Sequence, residues 1–219
     1  MTMSLAEQTS KLTEDFITSL STEDQATIQQ AFADIMASDW GAKALGEGDQ
    51  AIDFRLPNVR GGTIGLYLLK QGPVVLNFYR GGWCPYCNLE FKALSDRVPQ
   101  IHELGARLIG VSPELPDNSM GTVEKHQLQF EVLSDVGNKV AREYGIVMEV
   151  PEVFRPLYHQ WGLDVPAING SETWELPIPA TYVINSDGRI ASAYVNKIYI
   201  ERMEPADIIT ALKSLADAA

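Results

Sequence analysis

Apolar residues recur at helical spacing at both ends of the chain and gather into short continuous runs between them. Leu5, Leu12, Phe16 and Leu20 share one helical face. Ser21-Thr22-Glu23-Asp24 then reads as a helix start, with Ser21 as the cap and acidic residues in the first turn. Ile28, Ala31, Phe32 and Ile35 repeat the stripe. Residues 1–45 are therefore expected to be an N-terminal helical extension, and residues 46–219 a single α/β domain. The extension reads first as a helical hairpin packed on its own domain, and second as an arm for a homodimer.

Within residues 51–69, IDFRLPNV and TIGLYLL flank Arg60-Gly61-Gly62, which predicts a β-hairpin. Val74, Val75, Leu76, Phe78 and Tyr79 form a β-rich apolar run suited to a strand covered on both faces. ARLIGVS (106–112) predicts a second buried strand, parallel to the first because a helix separates them. A short helix over 117–127, a strand over 130–133 and a helical turn over 137–144 follow. Residues 149–176, with Pro151, Pro156, Pro166, Trp161 and Trp174, read as an irregular insertion holding one short helix near 152–161. Strands at 181–184 and 190–195 are joined by Asp187-Gly188, and Pro205 opens a last helix burying Ile208, Ile209, Leu212 and Leu215. The order predicts a mixed sheet flanked by helices.

Composition narrows the functional classes. A formal net charge of -12 argues against nucleic acid or an anionic membrane as partner. No apolar run approaches the ~18 residues of a membrane span, and residues 1–20 lack the basic and apolar regions of a secretory signal. The chain has only two cysteines, close together, which fits a dithiol cycling in a reducing cytoplasm.

Those cysteines carry the chemistry. After the 74–79 strand, Gly81 and Gly82 permit a sharp turn and Pro85 suits a first helical position. Cys84 is thus expected at a helix mouth, where the unpaired N–H groups and the macrodipole favour a thiolate, with Arg80 adding positive charge. Cys87 shares a face with Phe91, Leu94 and Val98, which turns it toward the core and leaves Cys84 nearer solvent. One accessible activated sulfur and one recessed partner make an attacking and a resolving thiol. A zinc site would need two more ligands, and His102, His126 and His159 show no metal spacing, so no metal or organic cofactor is expected.

The segments NFYRGGWCPYCNLEF, LIGVSPE, FEVLSDVGNKVAREYG and IPATYVINSDGRI extend the argument. Through them the chain, over roughly residues 46–215, resembles the thioredoxin-fold superfamily and, more narrowly, the alkyl hydroperoxide reductase / thiol-specific antioxidant (peroxiredoxin-like) family. The resemblance implies Cys84 as nucleophile and Cys87 as resolver. It also implies a cis peptide at Pro179, in Ile178-Pro179-Ala180-Thr181-Tyr182, facing the dithiol. The family usually has Pro seven residues and Thr or Ser three residues before the nucleophile; Asn77 and Gly81 stand there, and Pro179 and its neighbours stand where an arginine is usual. Arg80 and the N–H groups of the 81–84 turn are the expected replacements.

The resulting expectation is a thiol-dependent antioxidant oxidoreductase that reduces hydrogen peroxide or alkyl hydroperoxides through a Cys84/Cys87 cycle. A thioredoxin- or glutaredoxin-like dithiol would restore it. The catalytic set is Cys84, Cys87, Arg80 and Pro179. A general thiol–disulfide oxidoreductase and a redox-responsive interaction module are the alternatives. Both enzyme readings require the Cys84 sulfur to be open to solvent at the start of a helix, and a buried Cys84 would count against both.

Overall fold

The computed structural model describes residues 3–66 and 72–217. Helices α1 (Leu5–Ser19) and α2 (Thr22–Ala37) form where the stripes predict. Ser4 and Glu7 close a reciprocal capping box on α1, and Ser21 Oγ accepts from the Asp24 N–H at the start of α2. Strands β1 (Arg55–Pro57) and β2 (Thr63–Gly65) pair as the predicted hairpin, in register Arg55 with Gly65. The 67–69 end of its predicted second strand lies outside the described residues.

The sheet is built around β3 (Val74–Phe78), buried at every position. The chain continues through α3 (Pro85–Ser95), α4 (Val98–Glu103), β4 (Arg107–Ser112), α5 (Pro116–His126), β5 (Glu131–Ser134) and α6 (Lys139–Glu143). Then come β6 (Val147–Glu149), α7 (Arg155–Gln160), α8 (Val165–Asn169), β7 (Glu175–Pro177), β8 (Ala180–Ile184), β9 (Ile190–Val195) and α9 (Pro205–Asp217). Strand order is β5-β4-β3-β8-β9, with β4 parallel and β8 antiparallel to β3. This is the predicted mixed sheet flanked by helices.

Alternation along β3 sorts the core. Leu76 and Phe78 join the cluster with Tyr144, Tyr182 and Ile184 on one face, while Val75 and Tyr79 join the cluster with Cys84, Cys87, Phe91 and Val183 on the other. Both N-terminal helices pack on that second cluster, through Leu12, Phe16, Ile28 and Ala31. Their apolar faces are thus buried against their own chain.

Two features differ from the expectation. Residues 149–176 hold two short helices rather than one, and their ends are tied by the β6–β7 pair, Met148 opposite Leu176. Strands of three residues carry too little periodicity to be seen in sequence. The Ile178–Pro179 peptide is trans, not cis. Pro179 sits just ahead of β8, where a missing N–H is tolerated and the fixed φ of proline suits an extended chain, so no cis bond is needed to enter the strand. Pro179 is buried there.

Candidate active site around the Cys84–Cys87 dithiol

Cys84 is the N-cap of α3, with extended backbone (φ -82, ψ 116), and Pro85 follows at the first helical position. The sharp approach from β3 depends on glycine. At Gly82 a Cβ would lie 1.7 Å from Thr122 Oγ1, and at Gly81 it would lie 2.2 Å from Trp83 Nε1. Gly82 N–H donates to Glu114 Oε2 at 3.0 Å, and Cys84 N–H donates to the Gly81 carbonyl at 3.1 Å. Those two N–H groups are therefore engaged within the protein and do not serve as the expected replacement donors. Arg80 remains.

The placement of the sulfurs departs from the sequence reading in one respect. Cys87 is fully buried as expected, but Cys84 is also only 1% exposed. The reason is an aromatic cover that periodicity on α3 alone does not register. Arg80 lies 3.9 Å from the Tyr199 ring centroid and 5.2 Å from that of Trp83, and it donates to Tyr158 Oη. Tyr86, two residues past Cys84, contacts the Thr13 hydroxyl of α1 at 3.1 Å and the Tyr199 ring at 5.9 Å between centroids. Phe16 of α1 meets Trp161 edge-on at 5.3 Å. The 149–176 insertion thus contributes Tyr158 and Trp161 to the cover. A small molecule reaches Cys84 only when part of this cover moves.

The electrostatics match the helix-mouth reading. Burial alone would push the Cys84 thiol up; the Cys87 S–H, Arg80, Arg202 and the Cys87 N–H outweigh it and bring the pKa down from 9.0 to about 6. Cys87 is held well above its ordinary value, first by burial and then by the neighbouring Cys84 sulfur. At neutral pH the pair is one thiolate and one thiol. Arg80 Nε–H, fully buried, has no hydrogen-bond partner among the described residues, which leaves a charged donor free beside Cys84.

Sequence reasoning missed three charged residues here. Glu90, Glu114 and Arg202 are all buried. Arg202 Nε–H donates to Glu90 Oε2 at 2.8 Å, and Arg202 Nη2 lies 3.5 Å from Cys87 Sγ. Burial raises the carboxyl pKa of both Glu90 and Glu114 to about 7, even though Arg202 pulls Glu90 down and the Gly82 N–H pulls Glu114 down. Glu90 alone carried a signal: it interrupts the α3 core face next to Phe91. Arg202 follows β9 in irregular chain, where no periodicity marks what turns inward.

A conserved-family model described as the AhpC/TSA family matches residues 47–193, and the chain belongs to that family. Among curated relatives, it is 27% identical over 158 residues to the chloroplastic Peroxiredoxin Q of Gentiana triflora, covering 72% of this chain and 63% of that one. It is 33% identical over 102 residues to the chloroplastic Peroxiredoxin Q of Triticum aestivum, covering 47% of each chain. The chain therefore spans about half to two thirds of the length of the curated relatives it matches. Among solved structures, the peroxidoxin BcpB of Mycobacterium tuberculosis superimposes with a TM-score of 0.61 at 22% identity, over 78% of this chain and 98% of that one. The reduced 2-Cys peroxiredoxin of Plasmodium vivax does so with a TM-score of 0.62 at 16% identity, over 80% and 98%. At those identities the likeness concerns the fold.

Proposed function

We propose that the protein is a thiol peroxidase that reduces hydrogen peroxide or a small alkyl hydroperoxide through a Cys84/Cys87 dithiol–disulfide cycle. The observation that carries the reading is the Cys84–Cys87 pair at the mouth of α3, where its surroundings draw the first thiol's pKa down and hold the second's up. Membership of the AhpC/TSA family and likeness to peroxiredoxins support it.

The Cys84 thiolate attacks one peroxide oxygen, the O–O bond breaks, and the other oxygen leaves as alkoxide or hydroxide, which takes up a proton. Arg80, with its free Nε–H, is the donor placed to stabilise the developing oxygen charge. Cys87 then displaces the sulfenic hydroxyl as water, and the disulfide spans one turn of α3. An external dithiol of thioredoxin or glutaredoxin type returns both sulfurs to the reduced state. Two thiols with no further cysteine in the chain suit a reducing compartment, and we assign the protein to the cytoplasm on that ground. A homodimer through α1 and α2 would have to use their polar outer faces, since the apolar ones pack on the domain.

The test is peroxide consumption with a thioredoxin-type reductant, comparing wild type with Cys84→Ser, and reduction of insulin as the contrast. Turnover of peroxide that vanishes in Cys84→Ser and exceeds insulin reduction is expected. Insulin reduction faster than peroxide turnover would favour a general thiol–disulfide oxidoreductase instead.

A further inference from the structure

Arg202 lies in the segment between β9 and α9, and its guanidinium is fixed on every side. Nε–H donates to Glu90 Oε2 at 2.8 Å. Nη1 donates to the carbonyls of Tyr199 and, at 2.9 Å, of Glu201. Nη2 is aimed at Cys87 Sγ at 3.5 Å. Glu90 is itself held: its Oε1 accepts from Asn77 Nδ2 at 2.9 Å, and the same amide donates to Thr181 Oγ1 at 3.0 Å. Three strands or helices of the core thus aim one buried cation at the resolving sulfur.

A buried ion pair is weak as a stabilising device, because desolvating both charges offsets their attraction. The arrangement has a chemical use, however. Cys87 is shut away from water, yet it must carry negative charge twice per cycle, as the attacking sulfur and as the leaving sulfur.

We propose that Arg202 is a catalytic residue for the second half of the cycle, supplying the counter-charge on which Cys87 Sγ ionises, with Glu90 as the positioning residue that aims it. The inference rests on the Cys84/Cys87 dithiol reading. In the resolving step Cys87 S–H loses its proton, the sulfur attacks the Cys84 sulfenic sulfur, the S–S bond forms and the S–O bond breaks; the departing hydroxide and one proton leave as water. In the reducing step an external thiolate attacks Cys84, the S–S bond breaks, and Cys87 departs with the electron pair against Arg202 before taking up a proton.

The experiment uses dithiobis-nitrobenzoate on the full-length reduced protein, so that it does not depend on peroxide. Attack by Cys84 releases a first nitrothiobenzoate; attack by Cys87 on the mixed disulfide releases the second, and each rate is followed against pH. The groups that face Cys87 and titrate or carry charge are Cys84 and Glu90 on α3, Tyr79 and Arg80 after β3, Glu114 after β4, Tyr158 on α7, and Arg202. Glu114→Gln run alongside removes the second carboxyl that titrates in the same range.

An opposite charge shifts a neighbouring pKa by about 1–3 units, and thiolate nucleophilicity falls with pKa at roughly half that slope, so Arg202→Gln should slow the second release about tenfold and move its pH midpoint up. The first release should fall by much less. Arg202→Lys should recover most of the loss, and Glu90→Gln, which removes the opposing charge, should move the midpoint down. Equal slowing of both releases, or a midpoint that Arg202→Gln leaves in place, would overturn the assignment. Should Arg202→Gln fail to fold, a midpoint that Glu90→Gln leaves in place would overturn it equally. If these shifts appear while wild type ignores peroxide, the peroxidase reading falls and the Arg202 assignment stands.

Discussion

The lowered pKa of Cys84 is a balance that burial would lose on its own. Desolvation opposes the thiolate, and the Cys87 thiol, Arg80 and Arg202 reverse the sign, leaving the pKa at about 6. A thiol lowered from 9.0 is ionised through the neutral range and protonated below its folded value, so the first oxidation step should be flat above pH 7 and fall as pH drops through about 6. Arg80→Gln should move that midpoint up toward the ordinary thiol range and slow the step at pH 7 about tenfold, because a neighbouring charge worth about two units leaves roughly a tenth of the sulfur ionised. Stopped-flow oxidation across pH checks this; a midpoint near the ordinary value in wild type would refute it. At this scale the two cysteines and Arg80 were legible because sequence places them within eight consecutive positions. Glu90 and Arg202, separated by 112 positions, were not, since nothing local records that they meet.

Helix α1 closes the site from outside, and its attachment is specific. Glu204, just ahead of α9, accepts from the Leu5 N–H at 3.2 Å and the Ala6 N–H at 2.7 Å, capping the first turn. Thr13 and Phe16 then tie the helix to Tyr86 and Trp161 over the dithiol. Losing a capping oxygen costs about 0.5–2 kcal/mol, so if access to Cys84 depends on α1 lifting, Glu204→Ala should speed alkylation of Cys84 by roughly two- to thirtyfold. Iodoacetamide labelling followed by mass spectrometry measures it. An unchanged rate would mean that α1 is not the part that moves. The existence of α1, α2, β3, α3 and α9 was readable from strong periodicity and caps. The β6–β7 pair was not, and neither was the second short helix of the insertion, Val165–Asn169, because segments that short form through tertiary contact rather than propensity.

Taken as a whole, the molecule surrounds an oxidisable pair with its own extension, its insertion and the segment before α9. The mixed sheet, its parallel β3–β4 pair and its β8–β9 hairpin were visible in the sequence pattern, whereas the strand order β5-β4-β3-β8-β9 was not. Solvent access did not follow: α3's own stripe turned Cys87 inward correctly, while the burial of Cys84 arises from Tyr86, Tyr158 and Tyr199, which come from three different parts of the chain. The closed arrangement and the ionised sulfur together make a testable claim, that peroxide enters by a transient opening and meets a thiolate already formed. Trp83 adjoins Cys84 and stacks edge-on with Tyr158 at 5.8 Å, so its emission reports on the site. Mixing the reduced protein with hydrogen peroxide in a stopped-flow instrument should give a fluorescence change whose rate rises with peroxide, then a slower peroxide-independent phase that is absent in Cys87→Ser. A protein whose fluorescence and free thiol content stay constant through that mixing would contradict the account.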